Sequence, residues 1–280
     1  MDRYAVVGNP IAHSLSPRIH QVFAQQTAQA LTYEAILVPV NSFTCAVDAF
    51  KAKGGKGLNI TLPFKREAWE LVVQRTPRAE RARAVNTIVM HEDGRLTGDN
   101  TDGAGLLRDL TLNHSITIEG CDILMLGAGG AARGVLEPLL EAQPARFVIA
   151  NRTGGRAQAL AEEFADLGAV NSCGLDEFGA EQFDLIINAT AASVGGEVPM
   201  ISGNVLRPGG CCYDMFYSHR PTAFVRWGVE RGAAKSLDGL GMLAEQAAES
   251  FALWRGVRPE TTEIIGRLRN NNDGGRICSR

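Results

Sequence analysis

Residues 122–126, Asp-Ile-Leu-Met-Leu, form an apolar run that passes directly into Gly127-Ala128-Gly129-Gly130-Ala131-Ala132, and a helical pattern continues to about residue 141. Strand, glycine turn and helix in that order constrain this chain more than any other feature. The spacing fits G-x-G-x-x-A, a variant of the dinucleotide fingerprint. Its first glycine makes the tight turn out of the strand. Its second lets backbone N–H groups approach a pyrophosphate at a helix N-terminus, and its third small residue lets the helix pack close to the sheet. A glycine motif alone is weak, but here the flanking strand and helix supply its context. Residues 146–150 read as the next strand and 156–165 as a second helix. Residues 184–189 and 210–215 are further strands, and 221–231 another helix. This order describes a doubly wound, Rossmann-type domain.

The end of the second strand of that domain selects the cofactor. A NAD site carries Asp or Glu there to hold the ribose 2′-hydroxyl. Here residues 149–153 are Ile-Ala-Asn-Arg-Thr, without a carboxylate. Arg152 is placed to stack on adenine and face a 2′-phosphate, with Arg156 as a second cation, and the arginine fork suits phosphate. Asn151 and Thr153 add neutral hydrogen bonds. The bland alternative is two solvated arginines at a helix start, and it leaves unexplained why cations stand where the helix dipole favours anions. The pattern therefore predicts NADP rather than NAD. Asn188-Ala189-Thr190 ends the strand at 184–189, where its polar groups either touch the cofactor or cap the following turn.

The first hundred residues also alternate strand and helix. Apolar runs at 4–7, 32–38, 57–62 and 84–90 predict strands, and 95–99 completes a hairpin across Glu92-Asp93-Gly94. Helical patterns cover 18–28, 47–53 and 65–73, with Ser16-Pro17 resembling a cap followed by proline. This half is read as α/β with a mostly parallel sheet. A helix at 241–254 carries the apolar stripe Leu243, Ala247, Phe251 and Trp254, and a shorter helical pattern spans 262–269. The polar stretch from Asn270 lacks periodicity and is expected to be mobile. At about 150 residues per domain, 280 residues predict two domains. The boundaries are 1–103 plus 240–280 for one, and an inserted 104–239 for the other.

Polar side chains stand in unexpected places in the first half. Ser14 and Ser16 flank a strand-to-helix crossover. Asn59 and Thr61 lie two apart in an apolar strand and so share a face, and Lys65 follows after Pro63-Phe64. Asn86 and Thr87 interrupt another strand, and Asp99-Asn100-Thr101-Asp102 ends the hairpin. Each has a bland reading by itself: Ser16 or Asp102 as a helix cap, Asn86 as a satisfied strand amide. Together they predict a site for a polyol bearing a carboxylate.

These residues resemble a family. Gly8-Asn9-Pro10, Ser14-Leu15-Ser16-Pro17, residues 59–65 (Asn-Ile-Thr-Leu-Pro-Phe-Lys), Ala84-Val85-Asn86-Thr87, residues 98–103 (Gly-Asp-Asn-Thr-Asp-Gly) and residues 238–243 (Asp-Gly-Leu-Gly-Met-Leu) are similar to the shikimate dehydrogenase family. The NADP-dependent biosynthetic branch matches through residues 127–134 and 151–153. The resemblance runs from residue 4 to about 256. It implies reduction of 3-dehydroshikimate to shikimate by NADPH, in chorismate and aromatic amino acid synthesis. It implies a substrate domain completed by the C-terminal helices, with the NADP domain inserted.

The same resemblance gives roles to residues. Lys65 and Asp102 match the catalytic pair. Ser14 and Ser16 match the ligands of the substrate carboxylate, with Tyr217 at the same end, and Asn59, Thr61, Asn86 and Gln246 match its polyol ligands. Gln246 also stands beside the apolar stripe of its helix, where an amide needs partners; a core glutamine bonded to backbone is the alternative. Met215 and Gly239 match contacts near the nicotinamide. Cofactor contacts are expected from Gly127, Ala128, Gly129, Gly130, Ala131, Asn151, Arg152, Thr153, Arg156, Thr190, Met215 and Gly239. One departure stands after Thr190: residues 191–195 read Ala-Ala-Ser-Val-Gly, so hydroxyls are lost at 191 and 192 and Ser193 replaces a glycine.

Reduction of a ketone needs hydride to carbon and a proton to oxygen, and the protein supplies the position and the proton. Lys65 is the expected acid with Asp102 orienting it, although the sequence leaves open which of the two moves the proton. An NAD-dependent quinate/shikimate dehydrogenase is the nearest rival, opposed by Arg152. A non-catalytic NADP-binding sensor is opposed by the intact Lys65 and Asp102. The net charge of −3 offers no basic excess for nucleic acid, and no metal-ligand spacing is visible. The N-terminal apolar run is too short for a signal peptide, and no segment is long enough to span a membrane. Six cysteines without disulfide spacing predict a reduced, cytoplasmic protein with most thiols in the core. Monomer and homodimer are both compatible with the sequence.

Overall fold

Where a helix returns the chain to the same end of a sheet, neighbouring strands become parallel; where a short turn joins them, they become antiparallel. Both occur in this protein. A computed structural model describes residues 1–178, 180–201 and 204–273, with side chains to residue 270. The chain divides into two compact units, Met1–Gly105 with Leu243–Ile265, and Leu106–Met242 with the stretch from Gly266 onward.

The first unit contains β1 (Asp2–Gly8), α1 (Ser16–Gln26), β2 (Leu31–Leu37), α2 (Phe43–Ala52), β3 (Gly55–Ile60), α3 (Lys65–Leu71), β4 (Gln74–Arg75), α4 (Pro77–Ala82), β5 (Thr87–Met90) and β6 (Leu96–Asp99). The sheet order is β2-β1-β3-β5-β6-β4. Helical crossovers make β1 parallel to β2 and β3, and β4 parallel to β6, whereas the β5–β6 hairpin makes β5 antiparallel to both its neighbours. Ala5, Val7, Leu58, Ile60 and Ile88 pack under Phe43, Val47, Phe50, Phe64 and Val72. Side chains alternate along a strand, so Tyr4 points the other way, and it stacks on Trp254 at 4.7 Å between ring centroids.

Two local expectations are corrected, and two short elements are added. Helix α1 begins at Ser16 itself, and Leu15 holds the cap position. The hydroxyl that serves its start is that of Ser14, which accepts the Ser16 N–H at 3.3 Å. Strand β3 ends at Ile60, so Thr61 lies beyond it and does not share a strand face with Asn59. Strand β4 and helix α4 are too short to leave a periodic signal; α4 is held by the Thr76 hydroxyl, which accepts the Ala79 N–H at 3.3 Å.

The second unit continues from α5 (Asp102–Arg108), whose end runs into a π-helical turn, Asp109–Asn113. It then holds β7 (Asp122–Leu126), α6 (Gly130–Glu141), β8 (Arg146–Ala150), α7 (Gly154–Glu163), β9 (Val170–Cys173), β10 (Phe183–Asn188), a 3₁₀ turn at Ala192–Gly195, β11 (Leu206–Asp214), α8 (Ala223–Glu230) and β12 (Lys235–Asp238). All its described strand pairs are parallel, in the order β12-β11-β10-β7-β8-β9. From β7 the chain winds outward through β8 and β9, then returns to β10 and winds the other way. The carboxyl ends of β7 and β10 therefore flank the switch point where such sheets bind ligands. The edge strands β9 and β12 are short and polar, so the apolar-run criterion passed over them.

Two helices close the chain, α9 (Leu240–Arg255) and α10 (Thr262–Asp273). Helix α10 continues past the expected end at 269, through the asparagines, and residues 274–280 of the polar tail lie outside the described residues. The five described cysteines are free, and only Cys212 is buried. The expectation of mostly core thiols fails because Cys45 is exposed on α2 while Cys121, Cys173 and Cys211 are only half-buried. Cys278 lies outside the described residues.

Candidate active site

Lys65 opens α3, immediately after the fully buried Phe64, and Asp102 opens α5. Their side chains meet: Lys65 Nζ lies 2.5 Å from Asp102 Oδ2. The other carboxylate oxygen, Oδ1, accepts from Asn86 Nδ2 at 2.8 Å. Asn86 is itself fixed, because its Oδ1 accepts the Thr101 N–H at 2.9 Å and the Thr87 hydroxyl at 2.9 Å. The Asp102 N–H donates to Asn100 Oδ1 at 3.1 Å, which holds the first turn of α5. Behind it, Asp99 accepts two bonds from Arg78 at 2.7 Å and one from Thr76 at 2.6 Å. Lys65 and Asp102 keep 29% and 11% of their side-chain surface exposed, so a solute can reach the pair.

Helix α9 brings Gln246 to the same place. Its Oε1 stands 3.3 Å from Asn86 Nδ2 and 3.4 Å from Thr101 Oγ1, and its Nε2 donates to Leu243 O at 2.9 Å. Gly105 permits that approach, since a Cβ there would lie 2.7 Å from Gln246 Cβ and 2.8 Å from Gln246 N. Lys65, Asp102, Asn86 and Gln246 are thus one hydrogen-bonded group.

Asn59 stands one step further in. It is 5% exposed, and its Nδ2 reaches Ser250 Oγ at 3.0 Å, Thr87 Oγ1 at 3.2 Å and Asn86 O at 3.3 Å. Both amide hydrogens are therefore spent within the protein, and only one lone pair of Oδ1 remains beside the bond from Tyr33 Oη at 2.7 Å. Burial pushes the Tyr33 hydroxyl well above its usual pKa, and it also bonds to Ser16. Ser14 precedes α1 and Thr61 follows β3, both partly exposed. The Thr61 methyl would meet a Cβ on Gly8 at 2.4 Å, so the glycine is demanded by that close approach. Tyr217 belongs to the second unit, where burial raises its pKa.

In the second unit the glycine loop shows what each glycine is for. Gly127 has φ +104°, and a Cβ there would press on Thr190 Cγ2 at 3.1 Å and the Ala189 carbonyl carbon at 3.2 Å. Gly129 and Gly130 have no such reason: φ is ordinary, and a Cβ at either would meet no protein atom within 4 Å. The space in front of them is open, at the N-terminus of α6, as the approach of a pyrophosphate requires. Ala128 is half-buried behind the loop, and Ala131 is exposed.

At the end of β8, Arg152 and Arg156 are exposed, and neither forms a salt bridge among the described residues. Two unpaired guanidinium groups at the start of α7 suit an anionic ligand. Asn151 Nδ2 donates to Thr153 O at 2.9 Å, which shapes that turn. The Thr190 hydroxyl donates to Asn188 Oδ1 at 2.7 Å. Gly239 is demanded by packing, because a Cβ there would fall 2.3 Å from Met215 O. The residues present therefore fit a dinucleotide carrying an additional phosphate.

Several members of the site left little trace in sequence. Thr101 lay within the polar run ending the hairpin, and Ser250 lies one turn beyond Gln246 on α9, so spacing could have found both. Tyr33 gave no sign, since a half-buried strand tyrosine has an ordinary reading. Among the described residues no group of three His, Cys, Asp or Glu side chains is arranged to hold a metal ion.

Three family models match the chain. The shikimate dehydrogenase substrate binding domain matches residues 6–88, the shikimate/quinate 5-dehydrogenase model residues 110–195, and the shikimate 5′-dehydrogenase C-terminal domain residues 239–269. A shikimate dehydrogenase (NADP(+)) from Alkalilimnicola ehrlichii is 58% identical over 268 residues, covering 96% of this chain and 98% of the relative. The crystal structure of an Ael1 enzyme from Pseudomonas putida aligns at TM-score 0.90 with 44% identity, covering 96% of this chain and 98% of that one. Shikimate 5-dehydrogenase from Thermus thermophilus, solved with NADP(H) and shikimate, aligns at TM-score 0.86 with 34% identity, covering 96% and 99%.

Proposed function

The chain belongs to the shikimate dehydrogenase family, and we propose that it catalyses the reversible, NADPH-dependent reduction of 3-dehydroshikimate to shikimate in aromatic amino acid biosynthesis. The observation that carries the chemistry is the 2.5 Å contact of Lys65 Nζ with Asp102 Oδ2, within reach of solvent and braced by Asn86. NADPH, when bound, supplies the hydride. Lys65 supplies the proton to the ketone oxygen from Nζ, and Asp102 orients that ammonium and accepts from a substrate hydroxyl. A proton donor fixed by a carboxylate needs no rearrangement when charge develops on the oxygen.

In this reading the first unit binds substrate and the second binds NADP(H). Asn86, Gln246 and Thr61 face the polyol, with Asn59 bracing them and offering its remaining lone pair. Ser14 and Ser16 take the carboxylate. Arg152 and Arg156, helped by Asn151 and Thr153, take the 2′-phosphate, while residues 127–131 take the pyrophosphate. Thr190, Met215 and Gly239 serve the nicotinamide half. No described helix is long and apolar enough to cross a membrane, and we place the protein in the cytoplasm, where free thiols stay reduced. It acts as a monomer or homodimer on small molecules.

The test is NADPH formation with shikimate, followed by its near-ultraviolet absorbance beside parallel assays with quinate and with NAD⁺. Turnover with shikimate and NADP⁺ far above either substitute is expected. Binding of NADP⁺ without any turnover would overturn the catalytic reading, and preference for NAD⁺ would overturn the cofactor assignment.

A further inference from the structure

Asp214 closes β11 and is completely buried. Its carboxylate gathers four donors. Oδ2 accepts the Ser193 hydroxyl at 2.6 Å and the Thr222 hydroxyl at 2.6 Å. Oδ1 accepts Asn188 Nδ2 at 3.1 Å and the Phe216 N–H at 3.2 Å. Ser193 is 6% exposed and sits in the 3₁₀ turn after β10. Besides donating to Asp214 it accepts from Asn188 Nδ2 at 3.2 Å. Asn188 in turn uses Oδ1 to accept both the N–H (3.1 Å) and the hydroxyl (2.7 Å) of Thr190, and its backbone carbonyl accepts the Met215 N–H at 3.0 Å.

One buried carboxylate therefore ties together the carboxyl ends of β10 and β11, the 192–195 turn and the start of α8, where Thr222 also caps the helix by accepting the Val225 N–H at 3.1 Å. The alanines at 191 and 192 can make no side-chain hydrogen bond, so Ser193 ties the turn to Asp214, beside the Thr190 hydroxyl, which accepts the Ala192 N–H at 3.3 Å. A buried polar group held by several charge-assisted bonds keeps one geometry.

The location gives this knot a purpose. The free cations stand at the end of β8, and the open glycines at the end of β7. A dinucleotide lying across the switch point must place its other half over the ends of β10 and β11. We infer that Asp214 and Ser193 are positioning residues for the nicotinamide half of the cofactor, acting through Asn188 to hold Thr190 and Met215. This rests on the NADP(H) reading above and adds to it residues that touch no ligand themselves.

The experiment compares binding of NADP⁺ with binding of 2′,5′-ADP, which carries the adenosine and its 2′-phosphate but no nicotinamide. Wild type, Ser193→Ala, Ser193→Thr and Asp214→Asn are titrated by calorimetry, and KM and kcat are measured with shikimate. For Ser193→Ala the Kd for NADP⁺ rises about tenfold, the size expected for one hydrogen bond to a charged group. The Kd for 2′,5′-ADP stays within about twofold, and KM for shikimate does not move. Ser193→Thr, which keeps the hydroxyl, restores NADP⁺ binding. Binding of 2′,5′-ADP also shows that a variant is folded, so Ser193→Ala decides the question if Asp214→Asn does not fold. Equal weakening of both ligands, no weakening of either, or no rescue by threonine overturns the inference. Failure of wild type to bind NADP⁺ at all would instead sink the proposed function.

Discussion

His20 sits at 0% exposure on α1, where neither ring nitrogen makes a well-formed hydrogen bond and the nearby Asn59 side chain only partly offsets the burial. Its ring stacks on Tyr33 at 4.1 Å and 7°, with Trp254, Phe23 and Phe251 at 5.4, 5.9 and 6.1 Å. Burial holds its pKa down at about 3, against an ordinary 6.5. The folded protein therefore keeps this imidazole neutral while the unfolded chain protonates it below pH 6.5. Stability linked to His20 is fully present above that pH and is lost as the pH falls toward 3. The loss on going from pH 8 to pH 5 is set by the unfolded state: 1.5 pH units below 6.5, at about 1.36 kcal/mol per unit, is about 2 kcal/mol. A folded pKa of 4 instead of 3 would change that figure negligibly, which makes the prediction robust.

The assay is urea unfolding of wild type and His20→Phe at both pH values. Whatever the ring exchange does to packing is present at both pH values and cancels. Other titrating groups, including His114, whose pKa is also lowered by burial, are common to both proteins. Wild type should lose about 2 kcal/mol more than the variant on acidification. Equal losses would show that folded His20 takes up a proton as readily as the unfolded chain, and would refute the account of a ring held neutral by burial.

Three further outcomes follow from the geometry. Lys65→Ala should lower kcat at least about a hundredfold, the usual contribution of a positioned proton donor, with a much smaller rise in KM for shikimate; lost affinity at full kcat would remove Lys65 from proton transfer. Gly129→Ala should leave the melting temperature unchanged and weaken NADP⁺ binding, because its Cβ meets open space, whereas Gly127→Ala should lower the melting temperature, because φ is +104° and Thr190 stands at 3.1 Å. Arg152→Gln should cut the preference for NADP⁺ over NAD⁺ by about tenfold or more, read as the ratio of kcat/KM values; an unchanged ratio would move the 2′-phosphate site elsewhere.

Those predictions draw on two kinds of information, and only one was written plainly in the sequence. Strands β7 and β8 and helix α6 were legible because buried parallel strands are unbroken apolar runs and the glycine turn punctuates them. The pairing Lys65–Asp102 was legible through the resemblance of motifs, since the residues are 37 apart in the chain and no local period links them. What stayed hidden shares one physical character: its partners are set by tertiary packing. Strands β9 and β12 are stabilised by one neighbour each and need no apolar run. The saturation of Asn59 depends on Ser250, which is 191 positions away.

Ser193 is the sharpest instance. By sequence it is a small polar residue where a glycine was expected, and it reads as a lost feature of the cofactor loop. In the folded chain its hydroxyl is buried against Asp214, and a departure becomes an anchor. Removing a donor from a buried carboxylate costs more than losing an exposed hydrogen bond, because the carboxylate stays desolvated with one partner fewer. Ser193→Gly, although it moves the loop toward the expected residue, should therefore bind NADP⁺ more weakly than wild type, with 2′,5′-ADP unaffected. Tighter NADP⁺ binding by Ser193→Gly would mean that the serine obstructs the loop it is here taken to fix.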